Sequence, residues 1–261
     1  FGDTQEKLME GCVDAKIRGF TAVGHLTPFL DSPREENYFS TFSAKMDKAI
    51  ERVFKYREAV GTDVDLCIEI HRQLTVPEAI TLGREIEKCH PLFYEDPVRP
   101  DNFDDMAKVA HAVGISIATG ERFHTLQEFQ MLLSRDACHY IRPDVCMCGG
   151  LTGAKKIAAL AEATGVMVVP HNPLSPVSTA ACVQLAACIS NFTIQEYPKG
   201  EDCSPKTDIV VSALRLENGF LIVPEAPGLG VTLKENAENN CPYIPRAYRT
   251  RLSEDGSVMD Q

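Results

Sequence analysis

Short apolar runs alternate along this chain with longer segments whose apolar residues recur every three or four positions. The runs predict strands and the periodic segments predict helices. The first helix is expected over 4–18, capped by Thr4, with Leu8, Cys12 and Ala15 on one side. A strand over 21–26 follows, then an irregular stretch through Pro28 and Pro33. The alternation continues with a helix over 42–60, strand 64–70, helix 76–89, strand 92–95 and helix 103–113. Strand 115–119, helix 126–133, strand 140–144 and helix 151–163 come next, the last closed by Gly165. Strand 166–170, helix 178–188 and strand 192–196 end the series. From about 200 the composition changes: 209–216 and 219–223 read as a hairpin around 217–219, before a Pro- and Gly-rich tail through PEAPGLG.

Strictly alternating strands and helices argue for a parallel sheet, and this repeat length suits a (β/α)8 TIM-type barrel. An open doubly wound sheet is the alternative, but no G-x-G-x-x-G follows any strand. The chain starts at Phe1 without a methionine, in what reads as the loop before the first helix. A piece of a longer protein, lacking the first barrel strand, is therefore expected.

Composition narrows the function classes. The 261 residues can bury a substantial core in one large α/β domain. A formal net charge of −11, a pI near 5.1 and no basic patch make nucleic acid an improbable partner. No apolar run approaches a membrane span and no signal peptide is visible, so a cytoplasmic protein is expected. The 10 cysteines are scattered. Cys12, Cys89, Cys182 and Cys188 fall on apolar helix faces, which reads as buried reduced thiols rather than disulfides. Cys146 and Cys148 in DVCMCGG lack a second pair or nearby histidine to complete a zinc set.

Candidate chemistry lies at the strand ends. Glu69 in LCIEIH, Glu95 in LFYEDP and Glu121 in SIATGERF follow one another at intervals of 26 positions. In a barrel such residues converge on one mouth, and three carboxylates there repel unless a cation neutralises them. Oxygen ligands of this kind suit Mg²⁺. An acidic protein acting on an anionic substrate needs such a cation too. His71, two positions beyond Glu69, is expected on the same face of the strand. Asp144 ends YIRPD and His171 ends VMVVPH on the next strand, so the acid can orient the imidazole as a base; a purely structural hydrogen bond is the bland reading. Glu196, in TIQEYP, repeats the placement, and a protonated carboxyl there could donate to a substrate carboxylate.

Taken together, EIHR, YEDP, ATGERF, RPDVCMCGG, PHNPLSP and QEYP resemble the enolase superfamily, mandelate-racemase subgroup, most closely its galactonate dehydratase-type sugar-acid dehydratases. The resemblance covers about 1–198 as the catalytic barrel, strands 2–8, and the PGLG tail looks like the family's C-terminal segment. It implies that 199–261 packs on an N-terminal capping domain, absent from this chain, which carries much of the substrate specificity. It implies Mg²⁺ held by Glu69, Glu95 and Glu121, although relatives commonly carry Asp at the first position. His171, oriented by Asp144, is implied to abstract the C2 proton. The metal and Glu196 would stabilise the enediolate, and His71 would protonate the departing 3-hydroxyl. The product would be a 2-keto-3-deoxy acid from an aldonate such as galactonate, gluconate or mannonate. A homo-oligomer is implied as well.

Racemases and cycloisomerases of the superfamily usually carry K-x-K at the end of the second strand. Here that stretch reads Ala22-Val23-Gly24-His25-Leu26, which favours elimination by one base and one acid, although His25 or His71 could serve as a second base. A noncatalytic regulator or binding protein on the same scaffold is the alternative of another class. The remaining candidates read blandly: Arg122 and His124 as loop residues, His90, His111 and His139 as surface or packing residues, Phe123, Phe129 and Met131 as core, and Arg34–Glu35–Glu36 as a solvated run.

Overall fold

The computed structural model describes residues 4–29, 40–245 and 251–259. Two compact units divide the chain. The first takes Phe1–Thr119, Arg135–Cys138 and Ala247–Gln261; the second takes Gly120–Ser134 and His139–Arg246.

In the first unit α1 (Gln5–Ile17) leads to β1 (Ala22–Val23), α2 (Phe42–Val60) to β2 (Asp65–Glu69) and α3 (Val76–Ile86) to β3 (Phe93–Glu95). Then come α4 (Phe103–Ala112) and β4 (Ile117–Thr119). These strands pair in parallel, in chain order. The helices start where the side chains can satisfy their first N–H groups. Thr4 accepts from Lys7 N at 3.4 Å, Thr41 from Ala44 N, Asn102 from Asp104 N and Asp105 N, and Thr75 forms a capping box with Glu78. Leu66, Ile68, Tyr56, Tyr94, Leu82, Ile86, Met106 and Ile117 are fully buried. Each contributes about 1.5–3 kcal/mol by leaving water. Both tyrosines satisfy their hydroxyls on backbone carbonyls, Tyr56 on Thr27 at 2.9 Å and Tyr94 on Ala79 at 3.3 Å.

In the second unit α5 (Leu126–Leu133) precedes β5 (Tyr140–Ile141), and α6 (Gly150–Glu162) precedes β6 (Met167–Val168) and α7 (Pro176–Ala186). β5 and β6 pair in parallel, and single bridges extend the pattern at Asp144–His171 and Val168–Phe192. Phe129 stands edge-on to Phe123 with ring centroids 5.6 Å apart, and both are buried. A small hairpin, β7 (Leu216–Glu217) with β8 (Phe220–Leu221), turns through Asn218 and Gly219 at φ 48° and 78°. Those left-handed residues are what a tight two-residue turn requires. The sheet order β1-β2-β3-β4-β5-β6 and the alternation of strand and helix are those of a partial TIM barrel. Among the described residues no helix is long and apolar enough to cross a membrane.

Several expected elements are shorter. β1 stops at Val23 and β2 at Glu69, because His25, His71 and Arg72 take positive φ of 54°, 56° and 67°. His71 therefore does not share the strand pleat with Glu69, which corrects the expectation of a common face. The helix expected to 89 breaks at Ile86 into a 3-10 turn, Glu87–Cys89, closed by left-handed His90. Beyond the Phe192 bridge the strand expected over 192–196 does not form. A 3-10 turn, Lys206–Ile209, replaces the start of the long hairpin strand. All ten cysteines are free, and Cys12, Cys89 and Cys182 are buried; Cys188 is exposed because α7 ends at Ala186. Met131, at 39% exposure, is no core residue. The run Arg34–Glu36 lies outside the described residues.

Candidate active site

Glu69 and Glu95 each close a strand, and the parallel register makes them direct partners. Glu69 is 0% and Glu95 3% exposed. Two buried carboxylates side by side would both resist ionisation in the absence of positive charge. Hard oxygen donors in that state suit a divalent cation. Glu121 follows β4 by two residues and is also buried; the turn into it is made by Gly120, at φ 126°. A side chain at Gly120 would begin 2.8 Å from the Phe129 ring and 3.3 Å from Arg142 N, so only glycine lets the chain pass here. Glu69, Glu95 and Glu121 form a group of carboxylates that could hold a metal ion.

Asp144 and His171 are brought together by the bridge between the ends of their strands. His171 Nδ1 lies 2.9 Å from Asp144 Oδ2, and its Nε2 lies 3.2 Å from Glu121 Oε2. Asp144 is itself fixed, since Cys146 N donates to its Oδ1 at 2.7 Å. An acid on Nδ1 sets the tautomer and aims Nε2, the arrangement of an oriented base.

His71 is held differently. Its backbone N–H donates to Glu69 Oε1 at 2.7 Å, and Arg72 Nη2 approaches its ring Nε2 at 3.2 Å. A guanidinium can only donate, so that ring nitrogen accepts. Arg72 is anchored by Asp96, Nη1 to Oδ2 at 3.7 Å, and Asp96 Oδ1 accepts from Thr119 Oγ1 at 2.5 Å. Glu196 forms an ion pair with Arg142, Nη2 to Oε2 at 2.6 Å, and the same oxygen accepts from Asn172 N at 2.8 Å.

Arg72, Arg142 and Asn172 were not read from the sequence as site residues. For Arg142 the signal was present: it sits two positions before Asp144, a cation inside an otherwise apolar strand. Arg122 is half-exposed and reaches Glu121 at 3.7 Å. His124 gives its backbone N–H to Glu128 at the start of α5. His90, His111 and His139 are exposed.

Parallel strands ending in carboxylates, with an Asp-held histidine among them, define an enolase-type barrel. The chain belongs to this superfamily: residues 5–237 match the family described as Enolase C-terminal domain-like. Among its relatives, the D-galactonate dehydratase of Variovorax paradoxus (strain S110) is 31% identical over 263 residues, which cover 98% of this chain and 65% of that protein. The D-galactonate dehydratase of Verminephrobacter eiseniae (strain EF01-2) is 32% identical, over 92% of this chain and 64% of its own length. The chain thus spans slightly under two thirds of these curated relatives. Among solved structures, the mandelate racemase/muconate lactonizing enzyme-like protein of Roseovarius sp. TM1035 superposes with a TM-score of 0.85 at 35% identity, over 98% of this chain and 63% of that one. An enolase from Agrobacterium radiobacter, with bound Na and L-malate, gives 0.87 at 29% identity, covering 100% of this chain and 68% of that one.

Proposed function

We propose that the complete protein is a Mg²⁺-dependent dehydratase of a sugar acid, converting an aldonate to a 2-keto-3-deoxy acid. The observation that carries this reading is His171, held by Asp144 at 2.9 Å with its other nitrogen 3.2 Å from the buried Glu121 carboxylate. A binding protein needs no imidazole aimed in this way, whereas proton abstraction beside a carboxylate does. The names of the relatives support elimination of water as the overall reaction.

In this reading Glu69, Glu95 and Glu121 hold the cation, whose charge makes it cheaper to remove the proton next to the substrate carboxylate. His171 Nε2 takes the C2 proton while Asp144 stabilises the imidazolium. His71 gives a proton to the 3-hydroxyl, which leaves as water, and the enol product becomes the 2-keto acid by moving a proton to C3. For that step His71 Nε2 must be released from Arg72, because a nitrogen that accepts from a guanidinium has no proton to give. Glu196 contributes at the same mouth. The catalytic part would be 1–198, with 199–261 set against a capping domain of the complete protein.

The test is to assay the complete protein with Mg²⁺ and a panel of aldonates for 2-keto-3-deoxy products and for H/D exchange at C2. Formation of product from at least one aldonate is expected. Exchange with no dehydration would move the protein to the racemases, and neither outcome on any aldonate would end the catalytic reading.

A further inference from the structure

Glu196 lies where regular backbone pairing has stopped, since the last bridge to β6 is at Phe192. Side chains do the positioning that a ladder does elsewhere. The amide Nδ2 of Asn172 donates to the Glu196 carbonyl at 3.1 Å and to Thr179 Oγ1 at 2.7 Å. The Thr179 hydroxyl donates to Glu201 Oε1 at 2.5 Å, and Lys206 stands 3.4 Å from Glu201 Oε2. Asn172, Thr179 and Glu201 are all at most 2% exposed, so this chain of bonds is shielded from water.

The Glu196 carboxylate is fixed by two donors on one oxygen, the Arg142 guanidinium and the Asn172 backbone N–H. The Arg142 side chain is 4% exposed. An arginine stays charged in any folded protein, and a buried one needs a negative partner. Charge and hydrogen bonding therefore both favour the ionised acid. Cys182 of α7 also faces Glu196, but its thiol is pushed up to about 12, by burial first, and stays neutral. An ionised carboxylate accepts hydrogen bonds and has no proton to donate.

We propose that Arg142 is the positioning residue of Glu196, holding it as an ionised acceptor for a hydroxyl of the substrate rather than as a proton donor to the substrate carboxylate. The proposal refines the sugar-acid reading of the same site and rests on it for the identity of the ligand. It gives that reading a chemical preference: a polyhydroxy acid offers the donor that Glu196 requires, whereas an acid with an apolar substituent there leaves a charged acceptor unmatched.

The experiment compares the complete protein with R142M and R142K, with Mg²⁺ present throughout. Isotope-edited infrared or ¹³C spectra follow the Glu196 carboxyl, identified by the signal that E196Q removes. The wild-type carboxyl should be ionised at neutral pH, with its midpoint below that of an ordinary glutamate. R142M should raise the midpoint by about one unit or more, and R142K should recover most of the shift. With the best aldonate of the panel, R142M should raise KM about tenfold or more, by more than kcat falls, and R142K should restore much of it. A deoxy aldonate lacking the contacted hydroxyl should be nearly indifferent to R142M. A protonated Glu196 in the wild type, or a midpoint that R142M leaves in place, overturns the proposal; so does an R142K variant that folds yet behaves like a disrupted site in both readouts. The spectra need no turnover, so an enzyme inactive on every aldonate would remove the sugar-acid reading while the midpoint still decides the role of Arg142.

Discussion

Asp144 and His171 meet twice, once as backbone partners in a parallel bridge and once through Oδ2 and Nδ1 at 2.9 Å. The register that joins their strands is thus the same feature that orients the ring. Replacing His171 by Asn should abolish C2 exchange, and Asp144→Asn should lower kcat by about 10²–10⁴-fold, because the ring loses its acceptor on Nδ1. Exchange measured by NMR in D₂O decides the matter: exchange that survives H171N would dismiss His171 as the base.

Glu69 does two things at once, since its Oε1 also accepts the His71 N–H at 2.7 Å. Glu69→Asp should keep Mg²⁺ affinity within about tenfold while lowering kcat by about 10–100-fold, because the shorter side chain gives up a charge-assisted hydrogen bond worth about 1.5–3 kcal/mol. Titration calorimetry beside steady-state kinetics separates the two. Equal losses in affinity and kcat would show that the bond to His71 is incidental.

Metal removal should be visible without any substrate. If Glu69, Glu95 and Glu121 hold Mg²⁺, saturating metal at about 100 times Kd adds about 2.7 kcal/mol to the stability of the complete protein. Chelation should lower the melting temperature accordingly, and Glu95→Gln should cancel most of the metal-induced rise. A melting temperature indifferent to Mg²⁺ in the wild type would contradict the ligand assignment.

Gly120→Ala should destabilise the fold by about 1–3 kcal/mol and disturb Glu121 with it, since the backbone there sits at φ 126° and the Phe129 ring lies 2.8 Å from the new methyl. Denaturant unfolding checks the magnitude. A change under about 0.5 kcal/mol would mean that the loop relaxes freely.

The cysteines separate into two sets. Burial pushes the thiols of Cys138 and Cys182 up to about 12 and those of Cys12 and Cys148 to about 11. Among the cysteines of this chain, a thiol reagent near pH 8 should modify Cys146, Cys188, Cys203 and Cys241 in the native state, and the rest only after denaturation. The sign for stability follows. A thiol raised in the fold holds its proton more tightly folded than unfolded, so its contribution is complete below pH 9 and is lost as pH rises through 11 to 12. Peptide mapping after labelling reads the first claim, and unfolding at pH 8 and 10.5 the second; rapid native labelling of Cys138 or Cys182 would contradict the burial.

Much of this protein could be read along the chain. Periodicity predicted each barrel helix within a few residues, because an amphipathic face and a capping residue such as Thr4, Thr41 or Thr125 are local properties. The even spacing of Glu69, Glu95 and Glu121 and the order Asp144, His171, Glu196 were legible for a similar reason: in a strand–helix repeat, position in the repeat stands in for position in space. What no local pattern decided was the conformation just past the strand ends. The left-handed turn at His71 and Arg72, the loss of pairing before Glu196 and the exposure of Cys188 depend on where neighbouring strands stop. The partners that settle charge were hidden as well. Arg72 against His71 joins chain neighbours, but only Asp96, from the next strand, holds the guanidinium there. Arg142 and Glu196 are 54 positions apart. Electrostatics acts through space over a few ångströms, so tertiary packing alone chose which of these charges meet.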